Sequence, residues 1–213
     1  FIFYTNGFDC NFWDDLQSPP RRVSMVFSQG DLQKLIDRRD VKEDLNGIQI
    51  NTDITGRDYQ MAAIKAVVHS AEQGFRKFLL VMATGTGKTR TVISLTDVFT
   101  RANYATNVLF LTDRIQLVKQ AYSNYKEHLK SMSLCNMLDS QERLANKNAR
   151  IVFSTYPTIL NAIDTDKTED GERLYTPAHF DLIIIDEAHR SIFKKYRAIF
   201  DYFDSYLVGL TAT

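Results

Sequence analysis

The chain has 213 residues, 44% of them hydrophobic and 24% charged, with Lys+Arg and Asp+Glu equal at 26. Such a composition is ordinary for a soluble globular protein, and the length can bury a core without staples. Zero net charge excludes a strongly basic nucleic-acid binder but leaves room for one whose contacts are few and local. Cys10 and Cys135 lie far apart and outside any metal-ligand spacing, which points to a reduced cytosolic protein. The longest apolar run, FLLVMA at 78–83, is far too short to cross a bilayer, so no membrane span is expected. Neither a signal-peptide pattern nor a methionine opens the chain, and Phe1 reads as internal to something longer.

The opening FIFYTNGFDCNFW predicts a β-hairpin, with Phe8, Cys10 and Phe12 on one side and Asp9 and Asn11 on the other. Asn6-Gly7 would be the central pair of a two-residue type I′ turn. SPPRR then reads as a connector, because its prolines cannot join a ladder. Ser28 with Asp31 is a capping pattern, followed by Leu32, Leu35 and Ile36 at the spacing of a short helix. Thr55 and Asp58 can cap a second helix whose apolar face is Ile64, Val67, Val68 and Ala71, with Gly74 as its stop.

Beyond it the apolar runs FLLVM, VLFL, IVF, LIII and LVGL recur between helical patterns. Strands apolar on both faces, alternating with helices, are what a buried parallel sheet requires, so the fold class is α/β with an open parallel sheet. The helix from Arg114 carries Ile115, Val118, Tyr122, Tyr125 and Leu129 toward one sheet face. The polar stretch DTDKTEDGERLYTP at 164–177 faintly resembles a calcium loop, but Glu169 stands where a glycine is needed, and a solvated loop is expected.

Two constellations carry chemistry. VMATGTGKTR follows a buried strand and opens a helix on which Val92, Leu95 and Phe99 face inward. Gly85 and Gly87 let the backbone curl so that successive N–H groups point into one concavity, and the helix N-terminus adds partial positive charge. Lys88 would reach the β- and γ-phosphates, and the Thr89 hydroxyl would complete a Mg²⁺ shell. A bare glycine-rich turn explains the glycines but not a lysine beside a threonine at the start of the helix. Met82 replaces the first glycine of the usual phosphate loop. FDLIIIDEAHR places Asp186 and Glu187 at the C-terminal end of a strand, the edge at which open α/β sheets bind ligands. Asp186 can hold Mg²⁺ through water, and Glu187 can align the attacking water. His189 suits coupling by hydrogen bonds better than Mg²⁺ ligation. Taken alone, the pair could equally be a capping acidic dipeptide; with the phosphate cradle upstream, both groups converge on one nucleotide.

In this order and spacing, ATGTGKT, DEAH and the closing LTAT resemble motifs I, II and III of superfamily 2 helicases and translocases. GRDYQ, with Arg57 and Gln60, resembles the upstream motif that reads adenine, a task suited to an amide that both donates and accepts. FLTDRIQLVKQ resembles motif Ia, and STYPTI the DNA-contacting motif that follows it. The match covers residues 55–213, about three quarters of the chain. A TNG…FWD hairpin, a proline-arginine connector, GRDYQ and LVMATGTGKTRT together resemble the motor of the restriction subunit of type I restriction-modification enzymes.

That resemblance implies a RecA-like open parallel sheet with helices on both faces. Residues 1–18 would be a β-hairpin at the tail of an upstream nuclease domain, 19–50 a linker with a short helix, and 51–213 the first ATPase lobe, ending after motif III. A second lobe with an arginine finger would follow Thr213, and the nuclease residues would precede Phe1. ATP and Mg²⁺ are the implied cofactors. Arg57, Gln60, Thr84, Gly85, Thr86, Gly87, Lys88, Thr89 and Arg90 would bind ATP, Thr89 and Asp186 the metal, and Lys88, Asp186 and Glu187 would be catalytic. Arg114, Lys119, Ser154 and Thr155 are candidates for backbone phosphate contacts, which position a strand without reading its sequence. His189, Thr211 and Thr213 would couple the two sites. The implied partners are double-stranded DNA and the modification and specificity subunits, in a bacterial cytoplasm. A stand-alone DEAH-type DNA or RNA helicase, and a nucleotide-dependent clamp without turnover, are the alternatives.

Overall fold

The computed structural model describes residues 1–146, 148–165, 173–188 and 190–212, and for residues 144, 145 and 190 only the backbone. At the N-terminus, β1 (Ile2–Thr5), β2 (Cys10–Trp13) and β3 (Arg21–Val23) form an antiparallel sheet in that order. The hairpin forms, but without a type I′ turn. Thr5 pairs with Cys10, so four residues make the loop; Gly7 is left-handed at φ 91° and Asn6 is not. Asn6 Oδ1 instead accepts from the amides of Phe8 (3.0 Å) and Asp9 (2.8 Å), an Asx turn that leaves Phe8 in the loop, 95% exposed rather than on the apolar face. Part of the expected connector is also strand. Pro19 and Pro20 stay outside the ladder, but Arg21–Val23 pairs with β2.

Ser28 caps α1 (Gln29–Val41) through a reciprocal box, accepting from Asp31 N at 3.1 Å while Asp31 Oδ2 accepts from Ser28 N at 3.2 Å. At 13 residues the helix is longer than the sequence suggested. Its Leu32 and Leu35 pack against a small core of Phe12, Val23, Phe27 and Ala178. A 3₁₀ turn, Leu45–Gly47, leads on toward α2 (Asp58–Glu72).

The remaining elements alternate: β4 (Lys77–Val81), α3 (Lys88–Arg101), β5 (Val108–Thr112), α4 (Ile115–His128), β6 (Leu134–Asn136), α5 (Ser140–Ala145), β7 (Ile151–Thr155), α6 (Tyr156–Asp164), β8 (Leu182–Ile185), α7 (Arg190–Lys195), α8 (Arg197–Tyr202) and β9 (Tyr206–Thr211). Six of the strands form one parallel sheet in the order β4-β9-β8-β5-β7-β6, a RecA-like open sheet. The period of two sends alternate residues to opposite faces. Val108, Phe110, Phe153, Ile184 and Leu210 meet α2, α3 and α4 on one face, while Leu109, Val152, Ile183, Ile185 and Leu207 meet α6 and α8 on the other.

All five expected runs are strands, and β6 is a sixth that its three residues were too short to announce. The edge strand β4 departs from burial on both faces, with Leu79 59% and Val81 63% exposed. Gly74 ends α2 at φ 90°, as expected, but Arg57 is the N-cap and Thr55 does not cap. On α4, Val118 and Tyr125 are buried, whereas Ile115, expected on the same face, is exposed. Of the stretch 164–177, residues 166–172 lie outside the described residues; Tyr175 is fully buried, so this end of the stretch is packed rather than solvated.

Two carboxylates, one buried and one largely buried, fasten the N-terminal sheet and α1 to the N-terminal ends of the main strands. Asp204, just before β9, accepts from Arg21 at 2.8 and 2.6 Å and from Arg76 at 3.2 Å. Asp181, just before β8, pairs with Lys34 (3.1 Å) and Arg38 (2.7 Å) and accepts the amides of Thr106 and Asn107. A cleft of about 830 Å³ opens beside Asp204, lined in part by Arg22, Lys77 and Arg197. It lies at the edge opposite to the chemistry described next.

Candidate functional site

Parallel strands deliver their C-terminal ends to one edge, and there the phosphate loop and the acid pair converge. Lys88 Nζ lies 3.6 Å from Glu187 Oε1. The two segments do not come from adjacent strands, however. β9 lies between β4 and β8, and its backbone joins them: Met82 N donates to Thr211 O at 2.9 Å, and Ala188 N to Leu210 O at 2.6 Å. Gly209 makes this fit possible, since a Cβ there would lie 3.0 Å from Ala188 Cβ and 3.2 Å from Leu79 Cδ1.

The loop has the shape its glycines imply. Gly85 and Gly87 are left-handed at φ 77° and 82°, and Gly87 is the N-cap of α3. Thr86 Oγ1 donates back to Ala83 O at 2.6 Å. Thr84 and Arg90 are exposed and Thr89 is half-buried at the start of α3, so the helix N-terminus opens onto the same edge as Lys88. The 14-residue helix behind it is buried from Thr91 to Thr100, a rigid support for a charged ligand.

Gln60 is 3% exposed and lies beneath the loop. Its Nε2 donates to Thr86 O at 2.9 Å and contacts Gly87 O at 3.4 Å, while its Oε1 accepts from Thr55 Oγ1. The amide expected to read adenine therefore has both ends engaged within the protein. Tyr59 donates to Thr86 O at 2.9 Å and accepts from Arg57 at 2.8 Å. Thr55 and Tyr59 are thus parts of the site that pattern reasoning missed. Tyr59 stood inside the GRDYQ motif, where its place between Arg57 and Gln60 was the available signal.

On the opposite side, Asp186 N donates to Leu111 O at 2.8 Å, and Glu187 sits at φ 53°, a left-handed conformation that costs a non-glycine residue about 1 kcal/mol. Burial, then the neighbouring Glu187 carboxylate, pushes the Asp186 carboxyl above its ordinary value; the Glu187 N–H and Lys88 pull the other way. A half-buried anion crowded by a second anion is a setting in which a cation is welcome. The candidate donors, Asp186 and Thr89, offer carboxylate and hydroxyl oxygens, the ligand type that Mg²⁺ prefers. Among the described residues no group of three or more His, Cys, Asp or Glu is gathered for a metal, so a Mg²⁺ ion here would complete its shell with water and nucleotide oxygens.

The candidates for nucleic-acid contact divide. Arg114 and Lys119 are exposed at the start of α4, and Thr155 is 7% exposed at the end of β7. Ser154 is fully buried on a strand covered on both faces, and its hydroxyl donates to Thr155 O at 3.1 Å. Thr211 is buried, and its carbonyl holds the start of the phosphate loop. His189 and Thr213 lie outside the described residues. No helix among the described residues is long and apolar enough to cross a membrane.

Residues 53–213 match the family model ResIII, described as the type III restriction enzyme res subunit. The chain is 29% identical over 180 residues to the type I restriction enzyme EcoKI endonuclease subunit of Escherichia coli K12, covering 74% of this chain and 15% of that protein. It is 32% identical over 163 residues to the EcoAI endonuclease subunit of Escherichia coli, covering 74% of this chain and 19% of that protein. The chain therefore spans less than a fifth of the length of these relatives. Among solved structures, a fragment provisionally assigned as an HsdR subunit of a type I restriction enzyme from Vibrio vulnificus YJ016 superposes with a TM-score of 0.56 at 23% identity, covering 99% of this chain and 37% of that one, a likeness of fold.

Proposed function

The chain belongs to the ResIII family, described as the type III restriction enzyme res subunit, and from that we propose that it is the ATP-binding first lobe of a motor that moves along double-stranded DNA, within the restriction subunit of a type I enzyme. The observation that carries the proposal is the 3.6 Å approach of Lys88 to Glu187 at the end of a parallel sheet. A cation on the phosphate loop and a carboxylate pair on the next-but-one strand would enclose one volume, and phosphoryl transfer depends mainly on position and charge.

In that volume the curled amides at Gly85 and Gly87 and the N-terminus of α3 would cradle the β- and γ-phosphates, with Lys88 neutralising them. Thr89 and Asp186 would hold Mg²⁺, which when bound supplies charge neutralisation between the phosphates. Glu187 would orient the attacking water. To do so it must leave Lys88, so arrival of the triphosphate would exchange one partner of the lysine for another. Exposed Arg57 would flank the base, and Gln60 would address adenine only by giving up a bond to Thr55 or to the loop. Arg114, Lys119 and Thr155 would hold the DNA backbone, and Thr211 would relay movement from β9 to the phosphate loop, together with His189 and Thr213. The whole enzyme's nuclease activity and its modification and specificity subunits come with the type I assignment, in a bacterial cytoplasm.

Nucleotide binding tests this directly. Lys88→Ala is expected to lower affinity for an ATP analogue about 100-fold, the loss of charge-assisted bonds to phosphate, whereas Glu187→Gln keeps affinity and loses turnover. Equal affinity in the Lys88 variant would refute the cradle. Stimulation of ATP hydrolysis by duplex DNA and not by RNA separates the restriction motor from a stand-alone RNA helicase.

A further inference from the structure

The Asp186–Glu187 turn carries a left-handed glutamate, so something must hold it. Among the described residues, two of its holds are backbone bonds to the flanking strands: Asp186 N to Leu111 O at 2.8 Å and Ala188 N to Leu210 O at 2.6 Å. Any sequence with this sheet could make them. A third comes from a side chain. The Tyr156 hydroxyl donates to Asp186 O at 3.4 Å.

Tyr156 is placed unusually well to transmit a displacement. It is the first residue of α6 and follows Thr155 directly, so the strand end proposed to touch a DNA backbone and the hydroxyl that touches the acid turn share one peptide link. Its ring is fully buried and stacks on Tyr196 at 4.9 Å and 13°, between α7 and α8. Both ring faces are thereby confined, and a shift of the α6 N-terminus cannot be absorbed by rotation of the side chain.

We infer that Tyr156 is a positioning residue that holds the Asp186–Glu187 turn from the α6 side and ties the geometry of the two carboxylates to whatever grips the chain at Thr155. It would act through the turn and not by contact with nucleotide or DNA. The inference rests on the proposed ATPase, whose catalytic turn it would set.

Tyr156→Phe isolates the hydroxyl, since the ring, its volume and its stack are kept. In the whole chain, ATP hydrolysis and binding of a fluorescent non-hydrolysable ATP analogue are measured with and without a short DNA duplex. The variant is expected to melt within a few degrees of the parent and to keep KM and analogue affinity within about twofold. Its kcat should fall about 3- to 10-fold, the worth of one hydrogen bond, and its stimulation by duplex should shrink. A variant with parental kcat and parental duplex response overturns the inference, as does one in which KM rises and kcat stays unchanged. If the parent chain itself binds no nucleotide, the ATPase proposal fails and this inference with it. A parent that binds and responds beside an identical variant removes the inference alone.

Discussion

A Cβ placed on Gly87 would collide with Nε2 of Gln60. The glutamine therefore occupies the space that a side chain on the phosphate loop would need, and the left-handed φ of 82° excludes most other residues independently. Gly87→Ala should cost about 1 kcal/mol in backbone strain and dislodge Gln60 from Thr86. A loss of nucleotide affinity of about tenfold or more, with a melting point lowered by only a few degrees, is the expected result of titration and thermal unfolding.

Gln60→Ala separates two roles for the same amide. If Gln60 only supports the loop, ATP and GTP affinities fall together. If it also reads adenine, ATP loses more than GTP, by the worth of about one hydrogen bond, or roughly fivefold. The proposal of adenine reading predicts the second pattern, and parallel losses would remove it.

The attachment of the N-terminal sheet should be strongly unequal along its arginines. Arg21 is bound bidentately to Asp204, whose side chain is 10% exposed, so Arg21→Ala leaves a largely buried carboxylate with Arg76 alone and should destabilise by about 3 kcal/mol. Arg22 next to it is 73% exposed in its pair with Asp9, and its replacement by alanine should change stability by no more than about 0.5 kcal/mol. Chemical denaturation of the two variants side by side checks the contrast.

His179 predicts a pH dependence. Burial, then the nearby Lys34 cation, pulls its pKa from 6.5 down to about 4 against the pull of Asp181 and Asp31. The folded imidazole thus stays neutral where the unfolded one takes up a proton. Stability should fall as pH drops from about 6.5 to about 4 and show no further contribution below that, with a ceiling of about 3 kcal/mol. His179→Gln should flatten this slope in urea titrations across that range. Asp181 acts lower: burial raises its carboxyl, but Arg38 and Lys34 outweigh burial and hold it below 3.8, so its support is present above that value and fades only in stronger acid.

Local chemistry was enough to predict much of this protein from its amino-acid order. Gly85, Gly87, Lys88 and Thr89 declare a phosphate loop because backbone curl, charge and hydroxyl follow one another within a single turn. LIII before Asp186 declares a strand delivering carboxylates to an edge, and the capping box at Ser28 and the stop at Gly74 are likewise settled by nearest neighbours. What the order of residues could not decide depends on distant partners. β9 enters between the two halves of the site because Gly209 alone leaves room for Ala188 and Leu79. Arg21 joins a ladder after two prolines because Asp204, far along the chain, fixes its side chain. Ser154 is closed in because both faces of β7 are covered, and Gln60 lies under a loop that comes later in the chain, a placement no sequence rule announces. Each of these was decided only when the sheet brought separate segments within a few ångströms, where sterics and buried charge act and sequence spacing carries no information.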